Sequence, residues 1–333
     1  MSATVLTIVG ARPQFIKAAP VSTAFVRAGI REVMVHTGQH FDPDMSDQFF
    51  TELGLPEPAY NLRIHSLSQG AMTGRMLEAL EAVIVREKPN CVLVYGDTNS
   101  TLAGALAAAK LQAPLAHVEA GLRSFNRHMP EEVNRVLTDH VSNLLFCPTI
   151  SAIENLRREG ITAGVHAVGD VMFDSALMAA RLARRRSTIL RRYDLHAGGY
   201  SAATIHRAEN TDDPERFSRV LGWLEAASEE RPIVLPMHPR TRPLIQRMRW
   251  QPNRIKLLPP LSYLDMTMLV SHAAAVFTDS GGLQKEAYFH RVPCVTLRDE
   301  TEWIETVDAG WNRLWTQPEY RPRREINEYG NGD

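Results

Sequence analysis

Short apolar runs alternate with stretches of helical period along most of the chain. In the first half, the apolar runs lie at residues 4–10, 32–38, 91–97, 115–121, 144–148 and 165–170. In the second half, they lie at 200–206, 232–238, 254–260, 274–280 and 293–299. Runs of this length between helical stretches are typical of parallel strands that are covered on both faces. The pattern predicts an α/β fold with two successive Rossmann-like modules.

The length of the chain supports two domains, because 333 residues are too many for one ordinary hydrophobic core. The alternation pauses at the basic stretch 174–194, DSALMAARLARRRSTILRRYD, which we interpret as a solvated helix face. We therefore predict an N-terminal domain at 1–172 and a C-terminal domain at 173–333.

Composition narrows the classes of function. The chain is 44% hydrophobic and 23% charged, with a formal net charge of -1, so neither nucleic acid nor a membrane surface is an expected partner. The opening MSATVLTIVG has no basic leader and is too short for a membrane span, which favours a cytoplasmic protein. Cys91, Cys147 and Cys294 each lie in an apolar run, so we expect buried thiols and neither a disulfide framework nor a zinc site.

Polar and small residues follow the predicted strands of both modules. They include Gly10-Ala11-Arg12, Gly96-Asp97-Thr98, Glu119, His206-Arg207 and Asp279-Ser280-Gly281-Gly282. In open parallel sheets, ligands bind beyond the carboxyl ends of the strands. Because such residues recur at the same edge of both modules, we predict one site in a cleft between two facing domains.

The segment TDSGGLQKEA (278–287) is the strongest local signal for phosphate binding. A predicted strand ends at Asp279, and Ser280-Gly281-Gly282 lead into a helical pattern, which leaves backbone N–H groups to meet an anionic oxygen. Glu286 lies about one turn further along, where its carboxylate can accept hydrogen bonds from a ribose diol. The alternative is a tight helix cap without a ligand.

Cationic side chains accompany this signal in both modules. In VGARPQFIKAAP (9–20), Arg12 and Lys17 are either cleft residues or surface cations. This segment has neither the Gly-x-Gly-x-x-Gly spacing of dinucleotide-binding folds nor a P-loop, which disfavours nicotinamide and ATP chemistry. In HRAEN (206–210), His206 and Arg207 follow a predicted strand and favour recognition of a polar, anionic ligand. The chain lacks a His-Glu-x-x-His spacing, so we expect no metal site.

Three carboxylates of the first module are candidates for proton transfer. Asp97 lies in VYGDTNS, and Glu119 and Glu131 lie in HVEAGLRSFNRHMPEEVNR. Carboxylates that are held close together raise one another's pKa, so one can serve as an acid while another stays a base. The alternative is a solvated loop followed by a helix whose first turn carries carboxylates, and we interpret Glu132 as such a helix-dipole residue.

Seven segments, in this order and at these intervals, resemble one known family. They are GARPQFIKAAP, TGQH, VYGDTNSTLAGALAA, HVEAGLRS with MPEEVNR, HRAEN, TDSGGLQKEA and LRDETEW. Over nearly the whole chain they are similar to the UDP-N-acetylglucosamine 2-epimerase family. The resemblance implies two Rossmann-like domains in the glycosyltransferase-B arrangement, with the nucleotide held mainly by the C-terminal domain.

The resemblance also implies a reaction and the residues that perform it. Related enzymes need no cofactor: they eliminate UDP across C1–C2 of the sugar to give a 2-acetamidoglucal, then add it back with C2 inverted. The family's catalytic positions match Asp97, Glu119, Glu131 and His206. Its UDP-binding positions match Arg12, Ser280, Gly281, Gly282 and Glu286, and we add His206, Arg207, Lys17 and Arg298 as neighbouring candidates. We expect a UDP-activated acetamido sugar as ligand and a homodimer as assembly.

Some segments depart from the commoner N-acetylglucosamine enzymes. GARPQF replaces their Gly-Thr-Arg-Pro-Glu and is similar to the branch acting on UDP-2,3-diacetamido-2,3-dideoxyglucuronate, in surface polysaccharide synthesis. QHFDPDMSDQFF lacks the Gln-His-Arg-Gln pattern associated with activation by UDP-N-acetylglucosamine. We also expect the last helix of the family, which would follow EINEYGNGD, to be missing. For a sugar carboxylate, the first candidate partners are Arg123, Arg127 and His128.

Other functions stay open at this point. UDP-N-acetylglucosamine itself is the alternative substrate. A glycosyltransferase-B transferase would need an acceptor, and a nucleotide-sugar binding module would bind UDP without turnover.

Overall fold

Two parallel β-sheets form the framework of this computed structural model, which describes residues 2–39, 50–326 and 329. The strands of the first sheet are β1 (Thr4–Val9), β2 (Arg31–His36), β3 (Tyr60–Asn61), β4 (Cys91–Tyr95), β5 (Leu115–Val118), β6 (Leu144–Cys147) and β7 (Val165–Ala167). Their order in the sheet is β3-β2-β1-β4-β5-β6-β7. Because all neighbours pair in parallel, their carboxyl ends share one edge.

Helices connect these strands. They are α1 (Arg12–Ala28), α2 (Gln69–Glu87), α3 (Asn99–Lys110), α4 (Pro130–Val141), α5 (Ile150–Arg158) and α6 (Val171–Arg186), and a further helical turn ends at Leu53. Helix α1 illustrates how the sequence sets their bounds. Pro13 lies in its first turn, where a proline has no hydrogen bond to lose, and Gly29 ends it with a left-handed φ of 67°.

The second sheet repeats this construction with strands β8 (Ser201–Thr204), β9 (Ile233–Pro236), β10 (Ile255–Leu258), β11 (Val276–Thr278), β12 (Cys294–Thr296) and β13 (Asn312–Leu314). Their order is β10-β9-β8-β11-β12-β13, again parallel. Its helices are α7 (Ile189–Arg192), α8 (Ala208–Thr211), α9 (Pro214–Ser228), α10 (Arg242–Met248), α11 (Tyr263–Ser271), α12 (Gly281–Phe289) and α13 (Ile304–Asp308).

The α/β prediction is confirmed, because each predicted apolar run contains a strand. Strands β3 and β13 were not predicted, because their sequences, Tyr60–Asn61 and Asn312–Leu314, each contain one apolar residue and form no apolar run. Strand β1 is covered on both faces, because Leu6 and Ile8 on one face and Thr7 on the other are fully buried.

The chain divides into two compact units with separate hydrophobic cores. The first unit runs to Ser175 and includes Tyr329, and the second begins at Ala176. Helix α6 runs through this division, so the linker is a helix and not a loop. Three arginines in its last turn, Arg184, Arg185 and Arg186, are exposed, as expected for a solvated basic face.

Within the described residues, no helix has the length and apolar character needed to cross a bilayer, and no group of three or more His, Cys, Asp or Glu side chains could hold a metal ion. Cys147 and Cys294 are buried and Cys91 is half-buried, and all three are free thiols. Burial raises the pKa of Cys147 to about 12, which keeps this thiol protonated and inert. Most of the QHFDPDMSDQFF segment and residues 330–333 lie outside the described residues.

Candidate active site

The turn after β1 is organised by the side chain of Gln14, which is 1% exposed. Its Oε1 accepts hydrogen bonds from the backbone N–H groups of Gly10 (2.8 Å) and Ala11 (3.0 Å). Its Nε2 donates to the carbonyl of Tyr95 (2.9 Å) and to Thr101 Oγ1 (3.0 Å). One amide therefore ties the start of α1, where Arg12 lies, to the end of β4. Sequence reasoning noted Gln14 only as a departure from the family pattern.

Lys17 and Glu119 form an ion pair at the ends of β4 and β5. Their side chains are only 11% and 10% exposed. Glu119 has a left-handed φ of 73°, which is unusual for a residue with a side chain and directs it away from the strand. A Cβ at Gly96 would lie 3.2 Å from Glu119 Oε2 and 3.4 Å from Lys17 Nζ, so the pair packs against the backbone directly before Asp97.

Asp97 is connected to helix α4. Its carboxylate pairs with Arg135, whose Nη1 also lies 3.1 Å from Glu132 Oε2. Its carbonyl accepts a hydrogen bond from Asn134 Nδ2 at 2.9 Å. The structure thus brings Asp97, Glu119 and Lys17 to one edge of the first sheet, and it holds α4 at the same edge.

The two adjacent glutamates at the start of α4 have different surroundings. Glu132 is buried and accepts hydrogen bonds from Ser124 N, Ser124 Oγ and Phe125 N, each at 2.9 Å. Burial raises the pKa of Glu132, but the hydrogen bonds from Ser124 and Phe125 outweigh burial and leave that pKa below its usual value. Glu132 lies in the first turn of the helix, as predicted for a helix-dipole residue, and it also closes the loop before the helix, which was not predicted.

Glu131, by contrast, is exposed. In the described part of the chain its carboxylate has neither a hydrogen-bond partner nor an ion-pair partner. Its position in the first turn of α4 follows the prediction, but the structure does not join it to Asp97 or Glu119 by a direct contact. It is the one candidate carboxylate that the folded first unit leaves open to a ligand, within the residues described.

The hypothesis that Arg123 binds a sugar carboxylate was wrong. Its guanidinium is 1% exposed and donates to both oxygens of Glu159 (2.7 Å each) and to Asp139 Oδ2 (2.7 Å). Asp139 in turn contacts His117 Nδ1 (2.7 Å), whose other nitrogen lies 2.7 Å from the carbonyl of Gly96. Arg123, Asp139 and His117, whose side chains are all buried, thereby support the turn at Gly96. Arg127 and His128 are exposed and stay candidates.

In the second unit, Asp279 joins the ends of β8 and β11. Its carboxylate is fully buried and accepts hydrogen bonds from the backbone N–H groups of His206 (3.0 Å) and Arg207 (2.9 Å) and from Asn210 Nδ2 (3.1 Å). His206 Nδ1 lies 3.2 Å from the same carboxylate, and its ring packs on His238 at 5.2 Å between centroids. Sequence reasoning noted Asp279 as a strand end but gave it no role.

The predicted anion-binding segment lies beside this aspartate. Helix α12 begins at Gly281, directly after Ser280, and Glu286 is buried one turn further along. Gly282 is exposed, with open space where a Cβ would be. Arg298 Nη1 and Arg207 Nη2 lie 2.7 Å and 3.9 Å from the carboxylate of Glu302. That carboxylate occupies the space that a Cβ at Gly281 would take. The predicted residues Arg207, Arg298 and Gly281 of the second unit are therefore grouped around the start of one helix.

Solved structures define the class of this fold. The chain aligns over 100% of its length with a UDP-GlcNAc 2-epimerase from Methanocaldococcus jannaschii, solved in complex with UDP-GlcNAc and UDP, at 40% identity, 96% coverage of that chain and a TM-score of 0.85. A Neisseria meningitidis UDP-GlcNAc 2-epimerase bound to UDP-GlcNAc matches with a TM-score of 0.83 and 31% identity, over 93% of this chain and 87% of that one. The fold is the two-domain α/β fold of the glycosyltransferase-B type, as predicted.

Sequence comparison gives the family. The model of the UDP-N-acetylglucosamine 2-epimerase family matches residues 25–328. The UDP-2,3-diacetamido-2,3-dideoxy-D-glucuronate 2-epimerase of Pseudomonas aeruginosa is 55% identical over 316 residues, 93% of this chain and 87% of that protein. A UDP-N-acetylglucosamine 2-epimerase homolog of Methanococcus maripaludis is 52% identical over 316 residues, with 93% and 88% covered. The chain belongs to the UDP-N-acetylglucosamine 2-epimerase family, and the predicted family and isomerase class are confirmed.

Proposed function

We propose that this protein inverts C2 of UDP-2,3-diacetamido-2,3-dideoxyglucuronate, from gluco to manno, and so supplies an acetamido sugar for surface polysaccharide. The observation that carries the reaction is the group of Asp97, Glu119 and Lys17 at one strand edge of the first unit. The choice of sugar is supported by the 55% identity to the Pseudomonas aeruginosa enzyme and by the GARPQF segment. UDP-N-acetylglucosamine is the alternative substrate, as in the Methanocaldococcus jannaschii complex.

The second unit is assigned to the nucleotide. The N–H groups at the start of α12, with Arg207 and Arg298, carry the positive charge that a departing diphosphate requires. His206, fixed by Asp279, is assigned to the same diphosphate, and the carboxylate of Glu286 to the ribose diol. Arg12, at the start of α1, is a further candidate for the diphosphate. These donors lower the barrier for cleavage of the bond between C1 and the UDP oxygen.

The first unit is assigned to the proton at C2. Its removal by a carboxylate and the departure of UDP from C1 leave a C1=C2 double bond, with the bonding electrons on the UDP oxygen. Return of a proton to the opposite face of C2 and of the UDP oxygen to C1 gives the epimer. Inversion needs groups on two faces of the sugar, and therefore more than one carboxylate.

The surroundings of the carboxylates support different roles for them. Glu119 contacts Lys17 and Asp97 contacts Arg135, so a neighbouring cation holds each of these carboxylates in one position, as a base aimed at a single carbon requires. Glu131 has no such cation among the described residues. We therefore assign the base role to Glu119 or Asp97 and proton delivery to Glu131.

The test is incubation of the protein with each nucleotide sugar in deuterium oxide. Expected are deuterium at C2 and a manno product from the diacetamido uronate, with less or none from UDP-N-acetylglucosamine. The reverse preference would move the chain to the alternative substrate. The absence of both deuterium at C2 and manno product with both sugars would contradict the epimerase proposal. Release of UDP that requires an added acceptor, without deuterium at C2, would indicate a transferase, and UDP binding without exchange or release would indicate a binding module.

The assembly and location follow the family resemblance. We propose a cytoplasmic homodimer that binds a UDP-activated acetamido sugar. Light scattering at several protein concentrations measures the mass directly, and a monomer mass of 37.3 kDa throughout would exclude the dimer.

A further inference from the structure

A carboxylate of the protein itself lies over the start of helix α12. Glu302 Oε1 occupies the space of a Cβ at Gly281, and Glu302 Oε2 lies 2.7 Å from Arg298 Nη1. Arg207 Nη2 lies 3.9 Å from Glu302 Oε1. This helix start and these two arginines are the groups that the proposed function assigns to the diphosphate of UDP.

The start of helix α12 also faces a hydrogen-bond donor that has no acceptor among the described residues. The indole N–H of Trp303 is buried and, in the described part of the chain, has no hydrogen-bond acceptor. It lies 3.3 Å from the position of a Cβ at Gly281, so it faces the helix start. Lys285 Nζ lies 4.2 Å from the centre of the Trp303 ring and adds positive charge behind it. A buried donor without an acceptor is costly, which points to a ligand oxygen that completes it.

A carboxylate and a phosphate cannot share this space, because they overlap and because like charges in contact repel. Glu302 has a way out: its side chain is 41% exposed, whereas that of Arg298 is only 12% exposed. Movement of Glu302 into solvent therefore leaves the arginine in place and free to pair with another anion. The geometry also explains why the first residue of this helix is a glycine.

We propose that Glu302 occupies the diphosphate position in the unliganded second unit, and that UDP binds by displacing this carboxylate and taking over Arg298, Arg207 and the indole N–H of Trp303. The inference rests on the proposed function, because it concerns the same nucleotide site. It gives the site a built-in competitor, which weakens UDP binding and speeds release of the UDP-sugar product at the end of each catalytic cycle.

The test compares UDP and uridine binding to the full chain by calorimetry. Glu302→Gln removes the competing charge at constant size, so UDP is expected to bind about five-fold more tightly, the range of a partly exposed ion pair. Uridine, which has no phosphate, is expected to bind with unchanged affinity. Trp303→Phe keeps the ring over Lys285 but removes the donor, so UDP is expected to bind about five-fold more weakly.

Glu319→Gln is the matched control, because Glu319 lies in the same unit, is exposed, and has no hydrogen-bond or ion-pair partner among the described residues. It makes the same change in net charge and is expected to leave UDP affinity as it is. UDP affinity that is unchanged or reduced in Glu302→Gln and in Glu302→Ala, with normal thermal unfolding, would overturn the inference while leaving the epimerase proposal intact. Failure of the unsubstituted chain to bind UDP would instead overturn both.

Discussion

Three polar side chains of the candidate site hold backbone rather than substrate. Each accepts hydrogen bonds from two backbone N–H groups: Gln14 at the end of β1, Glu132 in the loop before α4, and Asp279 at the end of β8. Buried N–H groups need acceptors, so each of these residues stabilises one loop conformation. The groups assigned to chemistry are positioned by these neighbours.

At Gly96, we predict that an added methyl group disturbs the site through its contacts, beyond the backbone strain that it causes. Gly96→Ala places a Cβ against Glu119 and Lys17 and also forces alanine into a left-handed φ of 62°. We expect a loss of about 1 kcal/mol in unfolding free energy and about ten-fold in turnover. Gly29→Ala is the control: its φ is 67°, with nothing within 4 Å of the added Cβ. Equal turnover in the two variants would contradict a packing role for Gly96.

For the carboxylates assigned to proton transfer, we predict a loss of turnover without a loss of nucleotide affinity. Asp97→Asn, Glu119→Gln and Glu131→Gln should each lower kcat by about a hundred-fold or more, because the amide cannot carry the proton. UDP affinity, measured by calorimetry, should stay within about two-fold, since the nucleotide is assigned to the second unit. Glu57→Gln, at an exposed carboxylate without a partner in the described chain, should change neither. Near-normal turnover would remove the substituted residue from the mechanism.

Residue types at strand ends could be predicted from the sequence, but their partners could not. Glu131 and Glu132 are identical in chemistry, and a rotation of about 100° along the helix turns one to solvent and the other to the loop. Arg123 looked like a ligand-binding cation because no local pattern reveals Glu159 as its partner, 36 positions away. Glu302 and Trp303 were missed for the same reason, since their role depends on contact with Gly281.

At the scale of elements, the apolar runs of the sequence predicted where the strands lie, but not the residue at which each strand ends. The predicted strands at 91–97 and 115–121 end in the structure at Tyr95 and Val118. Residues 96–97 and 119–121, which the prediction included in the strands, instead form the turns that carry Asp97 and Glu119. Helix α4 begins at Pro130, a residue suited to the first helical position, but its docking to Asp97 depends on Arg135 and Asn134.

Helix α4 and its preceding loop should be less stable in acid, through Glu132. The pKa of Glu132 in the folded chain lies below its ordinary value of 4.5, so its stabilising contribution is complete above 4.5 and is lost as the pH falls through the folded-state pKa. Glu132→Gln should lower the unfolding free energy by about 2 kcal/mol at neutral pH. This difference should shrink as the pH falls below 4.5, as measured by urea unfolding.

Glu131→Gln serves as the control for that experiment, because the neighbouring exposed carboxylate has no partner to lose among the described residues. Its unfolding free energy should match that of the unsubstituted chain within about 0.5 kcal/mol. A difference between Glu132→Gln and the unsubstituted chain that does not change with pH would contradict the assigned hydrogen bonds.

At the scale of the whole molecule, each unit holds its own group of candidate residues on its own core. In the first unit, Leu6, Val35 and Val94 pack in one cluster beneath the strand ends. In the second, Ala203, Leu235 and Phe277 belong to a separate cluster. The repeat of strand and helix along the sequence was sufficient to predict this construction. The division of chemistry between the units rested instead on the family resemblance.

Hydrogen exchange can test that division on the intact protein. UDP alone should slow exchange at 205–210, 278–283 and 298–303, the segments of the second unit around Asp279 and Gly281. The nucleotide sugar should add protection at 96–98, 117–121 and 130–135 in the first unit. The protection from exchange is expected to rise with the fraction of the protein that carries the ligand. Protection by UDP that is confined to the first unit would reverse the assignment of nucleotide and sugar.

The hydrogen bonds between Asp279 and the loop after β8 separate the position of this loop from the chemistry of its side chains. Its carboxylate receives the backbone N–H groups of residues 206 and 207, which every amino acid except proline supplies. Exchange of the side chains at these two positions therefore alters what the loop offers to a ligand without altering where the loop lies. A substitution such as Arg207→Ala should therefore remove a candidate diphosphate contact without moving the loop, whereas loss of the Asp279 carboxylate should release the loop itself.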